Sequence, residues 1–205
     1  AWNNRGEAER AQGAHRVAIA SYQRAQALAP RYEAAYLHEA ESQRALGDIP
    51  AASDCFARLL AALPSSAAGH NNLANLLREQ GQLEQALAHY DQALRLDPGL
   101  VAAATNRAHL LLATGLTAQA EEAFASVLVQ RPFDLATRHA LAVALAQSGK
   151  LQQARDEVAR CLAQSPTFRD ARTLSARLDW ALGELERAKP ELLDLIAEDP
   201  LDTAA

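Results

Sequence analysis

Six prolines fall on one ruler with a constant period of 34: Pro30, Pro64, Pro98, Pro132, Pro166 and Pro200. Gly13, Gly47, Gly81, Gly115, Gly149 and Gly183 keep the same period, and so do Ala18, Ala52, Ala86, Ala120, Ala154 and Ala188. No position on any of the three lattices is empty. A unit of this length is too small to bury a core of its own, so such units must stack on their neighbours. The repeat therefore overrides the one or two globular domains that 205 residues would otherwise suggest.

The units are helical by composition. Ala and Leu dominate the chain, whereas Val and Ile are few. β-branched side chains lose rotamer freedom in a helix and Ala loses none, so this bias favours helix over strand. In the third unit Leu73, Leu76 and Leu77 recur at helical spacing and Gly81 follows, a residue that tolerates the left-handed conformation of a helix end. Leu83, Ala86, Leu87, Tyr90, Ala93, Leu94 and Leu96 mark a second helix, closed by Asp97 and Pro98. Each unit reads as helix–turn–helix. Gly6, Ala40, Ala74, Ala108, Ala142 and Ala176 supply a small residue on the first helix where the second crosses it. Eight positions before each lattice proline stand Tyr22, Phe56, Tyr90, Phe124, Val158 and Leu192, expected as buried plugs.

The small residue, Gly, Ala, aromatic and Pro at these offsets resemble the tetratricopeptide repeat. The resemblance spans six units: 1–32, 33–66, 67–100, 101–134, 135–168 and 169–202. It implies an all-α, right-handed superhelix in a single solenoid over 1–205, first helices lining a concave groove. The end units depart from the pattern. Arg5 and Glu9 replace large apolar residues in unit one, as Ser175 and Asp179 do in unit six, where Leu174, Leu178 and Leu182 shift the buried face. Pro190 falls inside a second helix, where proline costs about 3 kcal/mol or kinks the helix; Pro50, in a first turn after Asp48, is tolerated.

Net charge is −5, spread along the chain, and no clustered basic face marks a nucleic-acid or anionic-membrane surface. No apolar run approaches the roughly 20 residues of a membrane span. The chain has no Met and opens in mid-helix pattern, as expected of a piece of a longer protein. Cys55 and Cys161 lie three units apart, too far for a disulfide, and read as small core residues; such sparse usage fits a reducing, cytoplasmic compartment, with the periplasm as the alternative.

No catalytic constellation is present: no phosphate loop, no nucleophile elbow, no metal-spaced cysteine pair. No cofactor is read, and the six histidines are taken as helix-surface residues rather than metal ligands, although His109 and His139 could approach across units four and five.

The informative positions are polar residues on the first helices. Asn4, His38, Asn72 and Asn106 share one slot, continued by Ala140 and Leu174. An amide donates and accepts together, so a row of them can pair with the backbone of an extended peptide. This resembles the asparagine ladder in the repeat arm of O-linked N-acetylglucosamine transferases. The string NNLANLLREQG is especially similar and adds Asn71 and Asn75 to the candidates; His109 joins them on the next first helix. The other reading is helix-to-helix bonding between neighbouring units. Arg10, Arg44 and Arg78 form a second ladder, read either as an anion-binding stripe or as pairs with Glu7 and Glu41 three positions earlier on the same helices. Leu112, Ala146 and Trp180 continue that slot, so the face turns more apolar toward later units. The carboxylate clamp of chaperone-tail binders, begun at unit one, would put Asn3 and Glu7 at its first two slots and Ala68 and Asn72 at its last two, and the cations it requires are missing. Arg107 is expected to pair with Asp91.

These observations point to a non-catalytic module that binds an extended peptide or protein segment, with a possible second role in homo-oligomers joined through end units. The rivals are a substrate-recognition arm of a larger enzyme, such as a glycosyltransferase, sulfotransferase or hydroxylase, and a self-assembling scaffold.

Overall fold

The computed structural model describes residues 1–198. Pro200 and the end of the sixth unit lie outside the described residues. Twelve α-helices and no strand are found among the described residues. They come in pairs of a first and a second helix: α1 (Trp2–Ala11) and α2 (His15–Leu28), α3 (Glu33–Ala45) and α4 (Ile49–Ala62), α5 (Ala67–Glu79) and α6 (Leu83–Leu96), α7 (Val101–Ala113) and α8 (Thr117–Gln130), α9 (Leu135–Gln147) and α10 (Leu151–Gln164), α11 (Arg169–Ala181) and α12 (Leu185–Glu198). The pairing is the one the periodic lattice predicts. The chain forms two compact units, one over residues 1–106 and the other from residue 107 onward.

In the first unit each helix packs on the next, α1 on α2, α2 on α3, α3 on α4, α4 on α5 and α5 on α6, and the first helices α1, α3 and α5 also touch in turn. The second unit repeats this from α8 to α12, with α9 against α11. A face of adjacent first helices is thus a property of each unit by itself.

The lattice residues explain the pattern. All six lattice glycines have φ between 75 and 83°, and among the described residues no other residue type enters that region. These glycines turn each hairpin where a side chain would strain the backbone. The lattice alanines and their partners Ala40, Ala74, Ala108, Ala142 and Ala176 are almost fully buried where paired helices cross. Tyr22, Tyr90, Phe124 and Val158 are completely buried and Phe56 nearly so, each stabilising its hairpin by about 1.5–3 kcal/mol through apolar burial. Gly6 takes the small slot of the first hairpin because a methyl group there would sit 2.5 Å from the Tyr22 ring. Asp48, Ser66 and Asp134 cap α4, α5 and α9, each accepting from a backbone amide three positions on.

The last hairpin differs from the expectation in two respects. Leu192 is only half-buried, and Leu195 fills the core there instead. The helix also runs on through Pro190 from Leu185 to Glu198. Pro190 is the sixth position of α12, beyond the first turn, so the helix continues past it without the bond its amide would have made to Glu186 O.

Both cysteines are free and buried. Burial, and then the neighbouring Glu39 carboxylate, push the Cys55 thiol up to about 12. At pH 8 only about one thiol in 10,000 is then ionised, and the thiolate is the reactive form. A disulfide-exchange reagent at pH 8 is expected to leave Cys55 of the folded chain unmodified for hours and to label it within minutes in urea. Rapid labelling of Cys55 without denaturant would contradict the buried placement.

Candidate functional site

On the first-helix face of the first unit, the polar candidates divide into two sets. One set is engaged between helices. His38 of α3 faces Asn3 of α1, Nδ1 to Oδ1 at 3.3 Å, and lies 3.5 Å from the Glu7 carboxylate and against the Tyr22 ring. The Asn106 amide donates to Asn71 Oδ1 at 3.3 Å and to Asn75 Oδ1 at 3.0 Å, while Asn75 also accepts from the Tyr90 hydroxyl at 2.6 Å. The Asn106 bonds join neighbouring repeats. The other set keeps capacity to spare. Asn72 donates to Ala68 O of its own helix at 3.0 Å, and its Oδ1 accepts no hydrogen bond among the described residues. Asn4 is exposed, with no side-chain hydrogen bond among the described residues.

The arginine ladder pairs across helices, not along them. Arg10 of α1 meets Glu41 of α3 at 3.3 Å, and Arg44 of α3 meets Glu79 of α5 at 2.6 Å. The expected pairs with Glu7 and Glu41 on the same helix are replaced, because the carboxylate on the next first helix lies alongside. Arg78 of α5 is exposed and has no carboxylate partner among the described residues. Glu9, read from sequence as a departure from the apolar pattern, stitches α1 to α2. It accepts from Ser21 Oγ at 2.6 Å and from Arg5 Nε at 2.7 Å, and these two bonds, Ser21 first, hold its carboxyl below the usual range.

In the second unit the corresponding face is apolar. Val143, Ala146 and Gln147 of α9, Leu174, Leu178 and Arg177 of α11, and Leu151 surround a trough of about 360 Å³. His109 and His139 do not form a pair: His109 packs edge-on against Phe124, and His139 against Phe168. No group of three or more His, Cys, Asp or Glu able to hold a metal occurs among the described residues.

Two features escaped the sequence reading. The first is a buried polar network between α2, α3 and α4. Glu39 is 1% exposed; it accepts from Gln23 at 2.8 Å, Gln26 at 2.6 Å and Arg58 at 3.0 Å. Gln26 in turn accepts from Arg58 at 2.9 Å and donates to Ala35 O at 3.1 Å. Glu39 has no counterpart on any lattice, so periodicity carried no trace of it. The second is a pair of histidines on one hairpin. His70 of α5 and His89 of α6 bring their Nδ1 atoms to 2.9 Å. Burial lowers the pKa of both, and the charge of each neighbour (Arg95 for His70, His70 for His89) lowers it further.

Three family models, all described as tetratricopeptide repeat, match residues 67–100, 105–167 and 145–205. The chain belongs to the tetratricopeptide repeat family. Solved structures extend the likeness over the first two repeats. PilF of Pseudomonas aeruginosa superimposes with a TM-score of 0.81 at 20% identity, over 99% of this chain and 92% of that one. PilW, described as a widely conserved type IV pilus biogenesis factor, gives 0.80 at 23% identity, over 99% and 94%. YrrB, described as a tetratricopeptide repeat protein with an unusual peptide-binding site, gives 0.78 at 17% identity, over 89% and 94%. No curated protein matches the chain.

This tetratricopeptide repeat chain has the fold of a protein–protein interaction module. No helix among its described residues is long and apolar enough to cross a membrane.

Proposed function

We propose that the chain binds an extended peptide or protein segment on the first-helix face of its first unit, with α5 at the centre. The observation that supports this is the uneven use of polar groups on that face. His38, Asn71, Asn75, Arg10 and Arg44 are spent on neighbouring helices, whereas Asn72 Oδ1 and the Arg78 guanidinium are not. A half-buried amide oxygen and a forked cation, both on α5, suit a peptide backbone N–H and a carboxylate respectively. The interhelical bonds fix the helices on which these two groups stand. The peptide-binding site named for YrrB agrees with this reading. Catalysis has no part in it.

The test is affinity capture with native and Asn72→Ala/Arg78→Ala baits side by side, followed by titration of the recovered partner. Loss of two polar contacts should weaken binding by about tenfold or more while thermal stability changes little. Equal affinity of the two baits would remove this face from consideration.

A further inference from the structure

The apolar trough of the second unit stands on lattice slots that are polar in the first. The slot of Asn72 on α5 holds Leu174 on α11, and the slot of Asn75 holds Val143 on α9. Arg177 is the only charged residue that lines the trough among the described residues. Its slot is the one that Glu41 holds on α3, where Arg10 of α1 lies 3.3 Å away. The slot of Arg10 holds Ala146 on α9. An alanine thus takes the place of the counter-charge. Arg177 is exposed and has no carboxylate partner among the described residues. Asp179 and Glu184, nearby in sequence, pair with Arg155 at 3.8 and 2.6 Å. Trp180, three positions on from Arg177 and so beside it on the helix surface, is 58% exposed.

The lining also selects the conformation of an occupant. An extended peptide brings an unpaired N–H and C=O with every residue, and each is costly to bury without a partner. Only Gln147 and Arg177 line the trough with polar side chains that could meet them, among the described residues. A helix bonds its own backbone internally and needs no such groups. The lining positions on α11, Leu174, Arg177, Leu178 and Ala181, are themselves at helical spacing and span two turns, about 10 Å. That length matches one apolar stripe of a partner helix at i, i+3, i+4 and i+7.

We infer that this trough seats an amphipathic α-helix of a partner protein, its apolar stripe against Val143, Leu174 and Leu178 and a Glu or Asp beside the stripe on Arg177. The partner's carboxylate supplies the charge that Ala146 does not. The site shares no residue with the one proposed above and does not depend on it. The amide-bearing face takes extended backbone, and the apolar one takes a helix that has already satisfied its own.

The test uses a fluorescein-labelled peptide of about 16 residues, a length marginal as a helix in free solution. It carries Leu at i, i+3, i+4 and i+7, one Glu beside that stripe, and Ala and Gln elsewhere. Anisotropy titration of the whole chain should show saturable binding, and circular dichroism a gain of helix in the peptide. The same residues redistributed around the helix should bind about tenfold more weakly or worse. Arg177→Glu should weaken binding about tenfold and favour a peptide with Lys in place of the Glu, while Arg131→Glu, an exposed residue off the trough, changes nothing. Leu174→Asp should abolish binding; Arg177→Glu, on an exposed side chain, decides the matter if Leu174→Asp folds poorly. No saturable binding, equal binding of the redistributed peptide, or an unaltered Glu-over-Lys preference in Arg177→Glu would each overturn the proposal. Loss of binding in Asn72→Ala/Arg78→Ala with Arg177→Glu intact would seat the peptide on the first unit instead. A dimer of the chain that Arg177→Glu dissolves would make a second copy the occupant and overturn it as well.

Discussion

Glu39→Ala is expected to destabilise the chain by about 2–3 kcal/mol, more than the other substitutions considered above. The carboxylate is 1% exposed and is the common acceptor for Gln23, Gln26 and Arg58. Removing it takes the buried counter-charge from Arg58 and the acceptor from Gln23, while Gln26 keeps only its bond to Ala35 O. Asp54, an exposed residue that bonds Arg58 Nε at 3.0 Å, keeps one carboxylate on the guanidinium and limits the loss. Breaking one half of a buried pair costs far more than such a pair contributes when intact, because the remaining group still bears its desolvation penalty. Urea denaturation of native and variant chains measures the difference. Hydrogen exchange should place the loosening in α2, α3 and α4. A loss under about 1 kcal/mol would show that Arg58 turns out to solvent at little cost and that the network stabilises little.

Tyr90→Ala is expected to cost about 3–5 kcal/mol, the range for truncating a buried aromatic ring. Tyr90 is fully buried between α5 and α6, and Ala74 and Ala86, both also fully buried, leave room for no larger neighbour to fill the gap. Its hydroxyl adds a second effect. It donates to Asn75 Oδ1, which also accepts from Asn106. Tyr90→Phe should therefore cost only about 1 kcal/mol, since Asn75 keeps one donor. Thermal melts of both variants separate packing from hydrogen bonding. Equal losses for the two would mean that the hydroxyl, not the ring, holds the hairpin.

The helices were legible because three independent lattices agreed. A glycine at positive φ, an alanine at a helix crossing and a proline after the second helix each impose a local constraint, and their common period multiplies them. The plugs followed from the same offsets except at Leu192, where the lattice pointed to one residue and the core took Leu195 three positions on. The first-helix face was also readable, since Asn4, His38, Asn72 and Asn106 share a slot. How their hydrogen bonds divide was not. Whether an amide faces a neighbour or solvent depends on the residue one repeat away, as the bond from Asn106 to Asn75 shows. The arginine ladder shows the same limit: spacing along one helix suggested Glu7 and Glu41 of the same helices as partners, whereas adjacency between helices supplied Glu41 to Arg10 and Glu79 to Arg44.

Sequence alone determined the helical hairpins, their number in the described chain and their turns, because each rests on contacts within a single repeat and on backbone preferences that single residue types impose. Tertiary structure alone decided the Glu39 network and the His70–His89 contact. In both, polar groups from different helices meet at hydrogen-bonding distance, and burial then fixes which partner each must take.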